Sequence, residues 1–201
     1  SDDERLRGLS EMSLNFWVKA NSISGVDFIT SGTSAENFKV RMGTSGDTQM
    51  YVGGNANAVW TSSGAITTSG FKMITIVFDG SGASNTDKVK MYVDGTLNVS
   101  NLAGTIPSSI PNNVKDIILA GDGANIILDE FVFYNKALTS AEVSALYNGG
   151  SGDSTPDTDG LVAHYNFEQT GSILENQITI PPTNTKLLGL NDVTFSVGTD
   201  S

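Results

Sequence analysis

No cysteine, a single histidine, five prolines and a shortage of positive charge define what this chain of 201 residues does without. The missing cysteines exclude a disulfide framework, a thiolate nucleophile and any zinc site built on sulfur. They do not assign the chain to the cytosol, because a core of this size needs no covalent staple. Lys and Arg number 11 against 22 Asp and Glu, a formal net charge of −11. Such a chain repels phosphate backbones, which argues against nucleic acid as a partner. No apolar run approaches the roughly 18 residues of a membrane-crossing helix, so membrane insertion is not expected. The opening SDDERLRG lacks the apolar centre of a signal peptide, and the chain reads as a mature or excised soluble piece.

What is present is the composition of a globular β protein: 38% hydrophobic residues and 22 glycines, too apolar for a disordered chain. All-β sandwiches often use this much chain for one domain. Period-two alternation dominates the sequence. Met12, Leu14, Phe16 and Val18 share one face of a strand, and Ser13, Asn15 and Lys19 share the other with Trp17. Residues 73–78 are almost all apolar or β-branched and read as a central strand, closed by Asp79-Gly80. Val89, Met91 and Val93 alternate with Lys88, Lys90 and Tyr92 before Asp94-Gly95. That pair supplies the positive φ angles of a type I′ turn, with Leu97 and Val99 on the returning strand. Further strands are expected at 117–120 and 126–134, and this regular spacing of short strands predicts an antiparallel β-sandwich.

One short helix is expected, over 139–148. Thr139 and Glu142 form a capping box, Leu138 and Val143 a hydrophobic staple, and Gly149 is placed to end it. Residues 149–160, rich in Gly and Asp, read as a flexible connector. Beyond it Leu161, Ala163, Tyr165 and Phe167 alternate again, as do Val193, Phe195 and Val197. The remaining residues are too few for a second core. The expected organisation is therefore one sandwich over 1–201, with 1–148 as its main part and 161–201 supplying completing strands.

Three stretches resemble the laminin G family in its bacterial, archaeal and viral concanavalin A-like form: SLNFWVKANS at 13–22, FKMITIVFDGSGASNTDKVKMYVDG at 71–95 and ILDEFVFYNKALTSAEVSALYNGG at 127–150. The family usually opens the second stretch with tryptophan and histidine, where Phe71, Lys72 and Met73 stand here. A fourth match, GLVAHYNFEQTGS at 160–172, resembles the segment with which such domains begin, yet comes last. Reading the C-terminal DVTFSVGTDS into the N-terminal SDDERLRG restores the family order, so the resemblance implies a rotated, circularly permuted strand order. Residues 157–201 fill the vacant strand positions of their own sandwich, complete a neighbour in a homo-oligomer or repeat array, or form a disordered tail, and the first is the expectation.

The resemblance implies a concanavalin A-like jelly roll, and the rotated join brings Asp2 and Asp3 to the place where such domains often hold a structural Ca2+, with Asp129 as a second contributor. The alternative for these acids is solvated turns. Asp153, Asp157 and Asp159 lack the Gly and terminal Glu of an EF-hand loop.

No catalytic constellation stands out. His164, the sole histidine, shares a strand face with Val162, and no serine sits in a Gly-x-Ser-x-Gly elbow. Related folds include glycoside hydrolases, which need two carboxyls facing one cleft. Asp129 and Glu130 are adjacent and should point to opposite faces of a strand, with Glu168 and Glu175 as unplaced partners. Ligand-binding aromatics are Tyr51, Trp60 and Trp17, each also readable as core; Trp60 follows the polar run GGNANAV and reads as a loop tip. One sequon, Asn98-Val99-Ser100, follows the hairpin.

The expected function is a non-catalytic extracellular module that recognises a carbohydrate or a surface protein in adhesion. The alternative is a structural or decoration domain of a virus particle or cell-surface layer, and a glycoside hydrolase stands behind both.

Overall fold

The computed structural model describes residues 7–31, 38–54, 56–112, 117–119 and 124–168. Twelve strands form among them: β1 (Glu11–Ala20), β2 (Val26–Ser31), β3 (Phe38–Met42), β4 (Thr48–Val52), β5 (Ala58–Trp60), β6 (Lys72–Asp79), β7 (Val89–Val93), β8 (Thr96–Leu97), β9 (Asn101–Ala103), β10 (Ile118–Leu119), β11 (Ile126–Tyr134) and β12 (Leu161–Tyr165). They make two antiparallel six-stranded sheets, ordered β12-β11-β1-β6-β7-β8 and β10-β2-β3-β4-β5-β9. This is the all-β sandwich that the alternation predicts.

The core follows from the pleat. Met12, Leu14, Phe16 and Val18 of β1 turn inward with Ile74, Ile76 and Phe78 of β6. They meet Phe28, Phe38, Val40, Met42, Met50 and Val52 from the second sheet. Phe16 and Phe28 cross the gap edge to face, their centroids 5.6 Å apart. Each such ring, fully removed from water, stabilises the fold by about 1.5–3 kcal/mol.

The first sheet is covered on its other face as well. Helix α2 (Ser140–Tyr147) lays Val143 and Leu146 over Met73, Val77, Val132 and Tyr134. That second apolar layer is why 73–78 lacks alternation, since a strand buried on both sides needs apolar residues at every position. Polar contacts fix the helix start: the Ser13 hydroxyl donates to the Lys136 carbonyl at 2.8 Å and accepts from the Leu138 amide at 3.0 Å. The expected capping box is present, with Thr139 accepting from the Glu142 amide and Glu142 accepting from the Thr139 amide.

Several local expectations need correction. A second, one-turn helix α1 (Asn85–Lys88) forms within the polar stretch after Gly80, capped by its own Ser84/Asp87 box. Asn148 in the left-handed region (φ 46) ends α2, ahead of Gly149. Within residues 149–160, Asp159 accepts from Lys136 at 2.7 Å and the Gly152 carbonyl accepts from Asn148. The hairpin turn itself is as expected, with Asp94 at φ 50 and Gly95 at φ 74, but its returning strand is only Thr96–Leu97.

β12 pairs with β11 of the same chain, Phe131 opposite Tyr165 and Phe133 opposite Ala163, which puts Ala163 and Tyr165 into the core. Asp2, Asp3, Glu175 and the strand expected around Val193 lie outside the described residues.

The Lys136 ammonium and the Thr139 amide and hydroxyl together hold the Glu142 carboxyl down at about 2, from an ordinary 4.5. A lowered folded-state value means that this contribution is present above about 4.5 and is lost as pH falls toward 2. Glu142→Gln should therefore lower the thermal midpoint at pH 7, and the gap from wild type should shrink progressively between pH 5 and pH 3 in calorimetric melts.

Candidate functional site

No helix covers the outer face of the second sheet among the described residues, yet that face is only partly open: Lys39, Asp47 and Ala58 are buried, and Asp27, Arg41, Gln49, Tyr51 and Trp60 are half-buried. Its strands alternate as a half-buried sheet must. Phe38, Val40 and Met42 point into the core, and Lys39 and Arg41 point out; Met50 and Val52 point in, Gln49 and Tyr51 out; Val59 points in, Ala58 and Trp60 out. The register aligns them: Lys39 is opposite Tyr51, Arg41 opposite Gln49, Tyr51 opposite Ala58 and Gln49 opposite Trp60. Tyr51 and Trp60 are therefore diagonal neighbours, with the small Ala58 between them along β5.

A polar chain runs across this face. The Tyr51 hydroxyl donates to Gln49 Oε1 at 2.7 Å, and Gln49 Nε2 donates to Asp47 Oδ2 at 2.6 Å. Lys39 Nζ lies 4.6 Å from the Tyr51 ring centroid and 3.3 Å from Asp27 Oδ2, and Arg41 reaches Asp27 at 3.6 Å. Burial raises the Tyr51 hydroxyl above its ordinary value, with Arg41 opposing and Asp27 and Asp47 adding. The phenol is thus a neutral donor at neutral pH. The face presents two aromatic residues, Tyr51 held by its bond to Gln49, among oriented donors and acceptors, which suits a ligand with one apolar side and many hydroxyls.

Of the aromatics expected from sequence, the fold brings Tyr51 and Trp60 together and places Trp17 on the other sheet. Trp60 is a strand residue of β5 rather than a loop tip. Lys39, Asp27, Gln49 and Asp47 were not anticipated. The alternation Lys39-Val40-Arg41 beside Gln49-Met50-Tyr51 carried the signal of one polar face.

Trp17 and Asp129 meet in a cleft of about 360 Å³ on the outer side of the first sheet, lined also by Phe71, Glu130 and the 150–154 loop. Between the pairs Trp17–Asp129 and Asn15–Val132, β1 has one residue and β11 has two. The surplus is a β-bulge at Glu130, whose φ of 47 is left-handed. The bulge overturns the expectation that Asp129 and Glu130 face opposite ways, since both line this cleft. Beneath it the buried His164 Nε2 lies 2.7 Å from Glu130 Oε2. Burial, ahead of the charges of Glu130 and Glu168, raises the Asp129 carboxyl, although the Glu130 amide donates to it. No group of three His, Cys, Asp or Glu gathers as a metal site among the described residues. Asp129 and Glu130 alone do not fit a calcium ion, which takes six to eight oxygens.

A family model of the laminin G type, described as the concanavalin A-like lectin/glucanases superfamily, matches residues 1–144. The chain belongs to that superfamily. Solved structures with the same sandwich include the binding domain of botulinum neurotoxin DC in complex with SialylT, at 15% identity and a TM-score of 0.51, covering 70% of this chain and 36% of that one. The same toxin domain in complex with rat synaptotagmin II gives 14% and 0.52, covering 73% and 37%. A heptameric SAP-like pentraxin from Limulus polyphemus gives 12% and 0.51, covering 85% and 82%. The chain spans little more than a third of the length of the toxin binding domains it matches. No curated protein sequence matches it. For this superfamily member the likeness establishes the sandwich, and its ligand must be argued from its own surface.

Proposed function

We propose that this chain is a non-catalytic binding module of the extracellular space, cell surface or virion surface that takes a carbohydrate, free or on a surface partner, on the outer face of its second sheet. The observation that carries this reading is the juxtaposition of Tyr51 and Trp60 with the Asp47–Gln49–Tyr51 hydrogen-bond chain. A pyranose has an apolar face that packs on aromatic rings and equatorial hydroxyls that exchange hydrogen bonds with amides and carboxylates. Preformed side-chain bonds lower the ordering cost of binding. Neighbouring folds, a toxin binding domain in complex with SialylT or with synaptotagmin II and a heptameric pentraxin, lend support to a binding role over a catalytic one.

On an oligosaccharide array, the chain should bind a subset of glycans reproducibly. Trp60→Ala and Tyr51→Ala should each weaken that binding by about tenfold or more, as loss of an aromatic anchor does, without moving the thermal midpoint by more than a few degrees. Retained binding in both variants would exclude this face.

The reading as a structural or decoration domain has its own observation. Leu97 (57% exposed), Leu102 (46%) and Ile118 (42%) stand on β8, β9 and β10, three of the four edge strands among the described residues. Exposed apolar edges suit packing against another copy. A discrete oligomer in sedimentation together with a blank array favours that alternative.

Calcium enters as a structural ion at Asp2 or Asp3 with help from Asp129, a proposal that rests on the family resemblance. An ion bound only by the folded chain raises its stability by RT ln(1 + [L]/Kd). The melting midpoint should rise in millimolar calcium and fall in chelator; an unchanged midpoint leaves those acids as solvated turns.

A further inference from the structure

The Trp17 cleft lies on the opposite sheet from the proposed carbohydrate face, and its chemistry differs. Three acids line it, Asp129, Glu130 and Asp153, together with Phe71, Trp17 and small residues of the 150–154 loop; among the described residues no Lys or Arg does. The Trp17 ring is fixed by Tyr147, stacked at 6.0 Å and 19°, and by Gly152, where an added Cβ would sit 3.5 Å from Nε1. Phe71 is 41% exposed at the cleft wall. Glu130 is held there by its bulge and by His164 behind it. A left-handed φ at a non-glycine residue is strained and persists where the surroundings enforce it.

Each class of ligand meets this lining differently. An anion is repelled by the carboxylates, and a neutral ligand leaves the partly desolvated Asp129 uncompensated. An ammonium gains both the carboxylate and the aromatic face, and an alkyl arm gains the apolar wall.

We propose that the Trp17 cleft is a second binding site, for an organic ammonium on a short apolar arm, with Asp129 and Glu130 as its counter-charges and Phe71 as its aromatic wall. A free alkylamine and a lysine side chain share this chemistry. The site does not depend on the carbohydrate reading, because it uses none of the same residues.

The chain has two tryptophans, so its indole N–H region holds two cross-peaks, one for the cleft and one for the second sheet, assigned with Trp17→Phe. Titration of the intact chain with n-butylammonium should shift the Trp17 peak saturably and leave Trp60 still. Neutral 1-pentanol and anionic pentanoate should shift it far less. Nα-acetyl-lysine amide in place of butylammonium separates the sources: tighter binding points to a lysine chain of a peptide, equal binding to a free amine. Asp129→Asn should weaken binding by about tenfold, the scale of a lost charged hydrogen bond, and the exposed Phe71→Ala gives a second reading if Asp129→Asn folds poorly. Absence of a saturable shift, an equal response to 1-pentanol, or unchanged affinity in the variants would overturn the assignment.

Discussion

β1 serves two cores at once, and the rest of the molecule is arranged around that requirement. Met12, Leu14, Phe16 and Val18 close the gap between the sheets, while Ser13, Asn15 and Trp17 face the layer built by α2 and the loop after it. Hydrogen bonds satisfy the polar members of that outer face: Thr75 Oγ1 donates to Asn15 Oδ1 at 2.7 Å in a buried setting, and Ser13 anchors the entry to α2. A buried polar group without such a partner would cost about 1–3 kcal/mol. A helix of two turns has little stability of its own, so α2 depends on this docking surface.

The consequence is an asymmetric sandwich. Among the described residues the helix covers much of the outer face of the first sheet and leaves the cleft at Trp17, beside the bulge at Glu130. The second sheet has no covering helix among the described residues, and its outer face carries Lys39, Arg41, Gln49, Tyr51 and Trp60 in register. The helix-covered scaffold and the proposed carbohydrate face thus lie on different sheets. Side chains on strands of a packed sandwich keep their geometry better than side chains on loops, which suits a site that must present two rings and several polar atoms together.

Much of the scaffold was legible because its causes are local. Alternation marked β1, the Asp94-Gly95 pair marked the hairpin, and Thr139 with Glu142 marked the start of α2. The site was only partly legible, because its causes are not local. That Tyr51 and Trp60 are neighbours depends on the β4–β5 register, and that Lys39 meets Asp27 depends on the β2–β3 register. β5 is three residues long and follows a Gly- and Asn-rich run, so Trp60 read as a loop residue. Asp129 and Glu130 share a cleft through one surplus residue in β11, which alternation counted along a single strand cannot reveal. The short helix after Gly80 was missed although Ser84 and Asp87 have capping-box spacing, because one turn has no apolar stripe to draw attention to it.

The division of labour between the sheets is most directly tested by tryptophan fluorescence in two single-tryptophan proteins, Trp17→Phe and Trp60→Phe, titrated with an oligosaccharide that the wild-type chain binds. Trp60 sits on the second sheet and Trp17 on the first, so each emission reports one face. A saturable change in the emission of Trp60 with none from Trp17 is the outcome expected if the second sheet holds the carbohydrate. A response confined to Trp17 would contradict it and move the carbohydrate to the cleft.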